Sequence, residues 1–429
     1  MRLQTIFAAL AAALVAAGAA APSHGAQSDP AQRPLAERIT EAAAANRQRL
    51  EFDGKNFSGP AWASLLAEGT GAQFFLLGEE HGIAENPKLA GALFTALTPD
   101  GYTRFMIEVS PPMATALDEA AKGGVEGLQK MFATPGYEPA FYGMAEEAAM
   151  LAQVRAAVRS EAPVFWGADY EVGGDRLLIT TLERKSRPQT ADAALAALRS
   201  ASDASWARYQ ETRNPQFIFS FAGDPALARS LRDAWPGRDA ETSAILDTLE
   251  ETLAINRLWV EGQGFASNER RSTFMRRNFI AGWQAEKAAG RMPKVFAKFG
   301  ASHLVRGRNN SEVYDLGTLM PEVATLEGGH AFHLLVLPGV GASTAVFNPS
   351  TWSYDPAPPK DDYMQGLEPI LGAAHPDAFT LIDLRPLRPL LGRWREDTHP
   401  ELMRVVHGFD ALLVMSGSTP SANLPKAPQ

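Results

Sequence analysis

The segment Gln73 to Gly82, reading QFFLLGEEHG, places the tightest constraint on what this chain can fold into. Phe74 to Leu77 are large and apolar without alternation, the pattern of a strand buried on both faces. Such a strand needs neighbours on either side and helices above and below it. The chain then breaks at Gly78 and delivers Glu79, Glu80 and His81 at the strand's carboxyl end. In open α/β sheets that edge binds ligands, because rigid strands aim the loops there. An imidazole beside two carboxylates suits proton transfer or metal ligation.

The rest of the chain supplies the neighbours. Tyr102 to Val109 reads as a second strand, carrying Glu108 at its end and stopped by Pro111-Pro112. Pro163 to Gly167 reads as a third, leading into Asp169. Helical spacing between them (Asn86 to Leu97, Met113 to Lys122, Met144 to Ser160) predicts a parallel sheet with right-handed crossovers. Ahead of the first strand, helices are expected over Ala36 to Leu50 and Trp62 to Glu68. From Arg176 to Gly290 the pattern is helical and charged, an insertion or lid. Its last helix is predicted over Ser267 to Gly290 with Ser267 as N-cap. Arg271, Phe274, Met275 and Asn278 then share one face. Strands resume at Lys294 to Phe299, which leads to His303, and at Ala331 to Leu337, Phe379 to Leu384 and Ala411 to Met415. The Pro- and Gly-rich run Phe347 to Asp362 reads as a long loop. The expected architecture is α/β, a mostly parallel central sheet flanked by helices. Segments 27–175 and 291–420 form the α/β domain, with a helical insertion over 176–290.

Composition narrows the function. Of 429 residues, 45% are apolar and 21% charged, as in a packed globular protein. A net charge of -9 argues against nucleic acid as partner, because phosphate binding wants a basic surface. There is no cysteine, hence no disulfide framework, thiol chemistry or lipid attachment through one. Met1-Arg2, the apolar run Leu3 to Ala21 and the small residues up to Ala26 read as a signal peptide over 1–26. The mature chain is expected in the periplasm or secreted, with no transmembrane segment and a small-molecule partner. No Gly-x-Ser-x-Gly elbow, His-Glu-x-x-His, phosphate loop or complete dinucleotide fingerprint occurs. His330 and His333 flank an apolar strand and read as structural.

Parallel strands point their carboxyl ends one way, so Glu79, Glu80, His81, Glu108, Asp169 and His303 can meet. Two histidines with several carboxylates can activate water, directly or around a divalent metal. The motifs LGEEHG, FMIEV and GADY occur in an order that resembles erythromycin esterase-like proteins. The helical Arg271-x-x-x-Met275-x-x-Asn278, the KVFAKFGASH ending at His303 and the closing FDALLVMSGSTP fit the same resemblance. It runs as short motifs from residue 72 to 420. It implies an α/β fold shared with ChaN-like haem-binding proteins and, more distantly, TIKI/TraB proteases. It further implies His81 as general base, with Glu79 and Glu108 orienting it or holding a metal. His303 would contact the developing oxyanion, and Arg271 and Asn278 would line the pocket, with Glu80 and Asp169 as further substrate contacts. One residue separates Glu79 from His81 where the esterases usually have two, a spacing nearer the ChaN-like pattern. Two readings follow: an exported hydrolase of an ester or related acyl bond, or a haem- or metal-binding protein with His81 or His303 as ligand. The cofactor is accordingly none, a divalent metal or haem.

Overall fold

The computed structural model describes residues 33–159, 162–359, 364–392 and 398–425; the expected signal peptide lies outside them. Its strands are β1 (Arg47–Phe52), β2 (Phe57–Ser58), β3 (Phe74–Glu79), β4 (Tyr102–Ile107), β5 (Phe165–Gly167) and β6 (Lys294–Gly300). They continue as β7 (Ala331–Pro338), β8 (Thr344–Asn348), β9 (Ser353–Ala357), β10 (Phe379–Asp383) and β11 (Ala411–Met415). Nine form one sheet in the order β2-β1-β10-β11-β7-β3-β6-β4-β5, and β8 pairs with β9 in a separate hairpin. The run β11-β7-β3-β6-β4-β5 is parallel, whereas β10, β1 and β2 pair antiparallel. The sheet is therefore mixed, with a parallel majority.

β3 sits in the middle, and every residue of it is buried. Phe75 and Leu77 face a layer containing Leu65, Leu89, Phe94 and Leu151, from helices Gly59–Gly71, Glu85–Leu97 and Ala145–Ala157. Phe74 and Leu76 face the other layer, with Met275, Phe279 and Trp283 of helix Gly264–Ala288. This alternation is what a strand with two apolar faces requires. Between β5 and β6 the described elements are all helical and bury a cluster of their own around Leu198, Trp206, Leu231 and Leu249. Among the described residues no helix is long and apolar enough to cross a membrane.

Three expectations change. The helix expected to reach Leu50 ends at Ala45, and Arg47 onward pairs with β10. Ladder bonds from a distant strand outweigh local helical propensity there. Within the expected loop 347–362 lie the end of β8 and all of β9, a pairing that the Pro and Gly content hides. The helix expected to start at Ser267 begins at Gly264; Ser267 is buried and donates to the Ile255 carbonyl at 2.9 Å.

Helix Gly264–Ala288 is fixed to the sheet at its far end. Phe74 meets Phe279 and Trp283 edge-on, with centroids 5.7 and 5.1 Å apart. Arg104 of β4 donates to Glu286 at 2.8 Å, and both side chains are buried. Removing one partner of such a pair leaves the other charged and desolvated. Glu286→Ala is expected to cost about 3 kcal/mol in urea unfolding, whereas truncation of the exposed Glu322 in the same assay is expected to be near neutral.

Candidate active site

The four parallel strand ends deliver their polar residues to one cavity of about 430 Å³. β3 ends in Glu79, Glu80 and His81, β4 in Glu108, β5 in Asp169, and β6 in Gly300 and His303. Arg271 enters from helix Gly264–Ala288. Asn278, two turns further along that helix, does not line this cavity. It borders a neighbouring one between β5 and the insertion helices, and its amide donates to the Ala168 carbonyl at 2.7 Å. Asn278 thus holds the β5 end that carries Asp169.

His81 lies between two carboxylates. Its Nδ1 is 2.9 Å from Glu79 Oε1, and its Nε2 is 3.4 Å from Glu108 Oε2. Phe141 stacks on the imidazole with centroids 4.6 Å apart and a 17° interplanar angle. Phe141 holds a φ of 68°, an unusual value for a bulky residue and a sign that the surrounding packing fixes it. Glu79 also accepts from Lys298 Nζ at 2.7 Å, and the same ammonium donates to Glu147 at 2.7 Å. The chain of alternating charges from Glu147 through Lys298 and Glu79 to His81 is buried for most of its length.

Glu108 joins this chain to a second one. It accepts from Arg271 at 2.9 Å and from the Gly300 amide at 2.7 Å, and His303 Nε2 stands 3.5 Å away. Arg271 also pairs in a fork with Asp169, Nε to Oδ1 at 2.9 Å, and lies 4.8 Å over the Tyr170 ring. His303 Nδ1 is 2.7 Å from Asp315. Gly300 is required by closeness: a Cβ there would stand 3.0 Å from His81 Nε2 and 3.5 Å from Glu108 Oε2.

These contacts set the protonation states. Burial works against a charged His81, but hydrogen bonds and attraction from Glu108 and Glu79 outweigh it and lift its pKa to about 10. His303 is likewise penalised by burial and by Arg271, yet Asp315 and Glu108 lift it to about 9. Glu108 is held well below the usual carboxylate range: burial opposes its charge, and His303 and His81 overcome that penalty. Burial, with Glu79 beside it, pushes Glu147 up to about 7 against the pull of Lys298. Burial also lifts Glu171, another lining residue that accepts from the Ser110 hydroxyl at 2.8 Å, to about 8.

A divalent ion does not fit this donor set. Glu108 is already met by Arg271, His81 and the Gly300 amide, Asp169 by Arg271, and Glu79 by Lys298. Among the described residues no group of three His, Asp or Glu side chains converges to hold a metal. A haem iron would need a ring nitrogen that His81 and His303 both turn toward Glu108.

Lys298, Glu147, Asp315 and Phe141 complete the cluster and were not singled out by sequence reasoning. Lys298 could have been. A lysine inside the apolar run Val295 to Phe299 is costly to bury without carboxylate partners, and its presence there advertises them.

No protein-family model and no curated protein matches the chain. Solved structures do. A succinoglycan biosynthesis protein superposes with a TM-score of 0.56 at 14% identity, covering 90% of this chain and 98% of that one. A protein from Bacillus cereus gives 0.54 at 16% identity, covering 90% and 99%. A mutant of the erythromycin esterase EreC in its open conformation gives 0.55 at 15% identity, covering 88% and 99%. Across nearly its whole length, the chain has the fold of these proteins.

The electrostatics are directly measurable. In proton NMR titrations the His81 and His303 ring signals are expected to stay in the imidazolium position at pH 8, moving only near pH 9 to 10. Both groups gain proton affinity on folding, above the ordinary 6.5. Their contribution to stability is therefore complete below about pH 6.5 and is lost as pH rises through 9 and 10.

Proposed function

We propose that the protein hydrolyses an ester or a related acyl bond, with His81 taking the proton from the attacking water. The observation that carries this reading is the 2.9 Å contact between Glu79 and His81 Nδ1, which leaves Nε2 beside Glu108 at the cavity wall. A carboxylate on Nδ1 fixes the tautomer and steadies the imidazolium that forms when Nε2 accepts a proton. Lys298 keeps Glu79 ionised for that task. In the reaction the water oxygen bonds to the carbonyl carbon and the water proton passes to Nε2. The tetrahedral intermediate then collapses, the C–O bond breaks, and the same proton goes to the departing alkoxide. The donors nearest His81 that would meet the oxyanion are the Gly300 N–H, His303 and Arg271, each of which Glu108 engages in the free protein. Likeness of fold to an erythromycin esterase supports the reaction class. Residues 1–26 would direct export, which puts the activity outside the cytoplasm. Haem or metal capture is the second reading, and it has less support because His81 and His303, the ligands it would use, both hold Nε2 beside Glu108.

On a panel of activated esters, His81→Ala is expected to lower kcat by about a thousandfold, the span of general base catalysis. Glu79→Gln is expected to cost about a hundredfold through loss of orientation. Equal rates for wild type and both variants would end the proposal. Because Nε2 must be unprotonated to accept a proton, kcat/KM is expected to rise with pH from neutral toward about 10. A profile already flat above pH 7 would show that another group is the base.

A further inference from the structure

The cavity does not stop at the charged cluster. Its other end is walled by Leu335 and Leu337 of β7, by Leu367, and by Val405 and Phe409 at helix Pro400–Gly408. β7 pairs with β3 so that Gly78 is level with Leu335 and Glu79 with Val336. Leu335 and Leu337 therefore share one face of the sheet, while Glu79, level with Val336, points to the other, and the two sets come together at the strand ends, where both line the cavity. Gly78 brings that wall close: a Cβ there would stand 3.0 Å from Ala301 Cα and 3.3 Å from the Phe409 ring. The charged residues of that helix that also line the cavity are Glu401 and Arg404, which pair with each other. Leucine, valine and phenylalanine offer nothing to hydrogen-bond a hydrophilic ligand, whereas methylenes gain by burial against them.

We propose that this end is an acyl-chain subsite, so that the substrates are esters of aliphatic acids of medium length. The ester carbonyl would sit at His81 Nε2, its chain would run along Leu335, Leu337, Leu367 and Val405, and the alcohol part would face Phe141. This rests on the ester-hydrolase reading above. The acid released keeps its carboxylate beside Arg271 and His303 and its chain in the same groove, so a free fatty acid of that length binds as product.

The test uses the mature protein with p-nitrophenyl acetate, butyrate, hexanoate and octanoate, together with calorimetric titration of acetate and octanoate. The expected result is a rise in kcat/KM of roughly an order of magnitude per two added methylenes until the groove is filled, as burial of each CH₂ implies. Octanoate is expected to bind at least tenfold tighter than acetate. Val405→Phe, which narrows the groove, is expected to lower the octanoate-to-acetate ratio of ester rates more than tenfold. Misfolding would depress both rates together and leave that ratio in place. Esters cleaved at rates indifferent to acyl length, with octanoate binding no better than acetate, would overturn the subsite and leave the hydrolase reading standing. Tight octanoate binding by a protein that cleaves none of the esters would do the reverse.

Discussion

One carboxylate organises the site. Glu108 receives the guanidinium of Arg271, the Gly300 amide and, at slightly longer range, the imidazoles of His81 and His303. Buried among so many donors it stays ionised, and its charge, together with Glu79 beside His81 and Asp315 beside His303, lifts both histidines far above the ordinary imidazole range. Geometry and protonation are thus one fact. The same contacts that fix the side chains in place also decide which of them carries a proton.

The sheet makes this arrangement possible. Parallel strands β3, β6, β4 and β5 end side by side, so short loops can bring four chain segments to one point. The charges do not meet bare. Lys298 rises from β6 between Glu79 and Glu147, while Arg271 reaches across from helix Gly264–Ala288 to Asp169. Glu79, Glu147, Glu108 and Asp169 each have a partner of opposite sign, as burial demands. Helix Gly264–Ala288, which brings Arg271, is held at its other end by Arg104 and Glu286, which ties the site to the packing of β4.

Much of this was legible in the sequence because it rests on local patterns. Continuous apolar runs marked the central strands, and the polar residues directly after them marked the site edge. The unread parts depend on contacts between distant segments. Nothing local in RQRLEF shows that β10 will capture it as a strand instead of letting a helix continue. Asn278 shares a helix face with Arg271, yet the rise of two turns, about 10 Å along the axis, sets it at the next cavity, where it supports β5. Asp315 stands just ahead of helix Leu316–Leu326, where its Oδ1 accepts from the Leu316 amide, and only the fold reveals that its other oxygen holds His303. Lys298 is the exception: the cost of burying an amine makes it a signal readable without the structure.

On the proposed reading, Glu108 with Glu79 sets the proton affinity of His81 and, through it, the pH at which the site would work. The most direct measurement is the pH dependence of kcat/KM for Glu108→Gln beside the wild type. Removing the charge is predicted to move the rising limb of the profile downward, toward the ordinary imidazole range near 6.5. A limb that stays where the wild type has it would contradict the account.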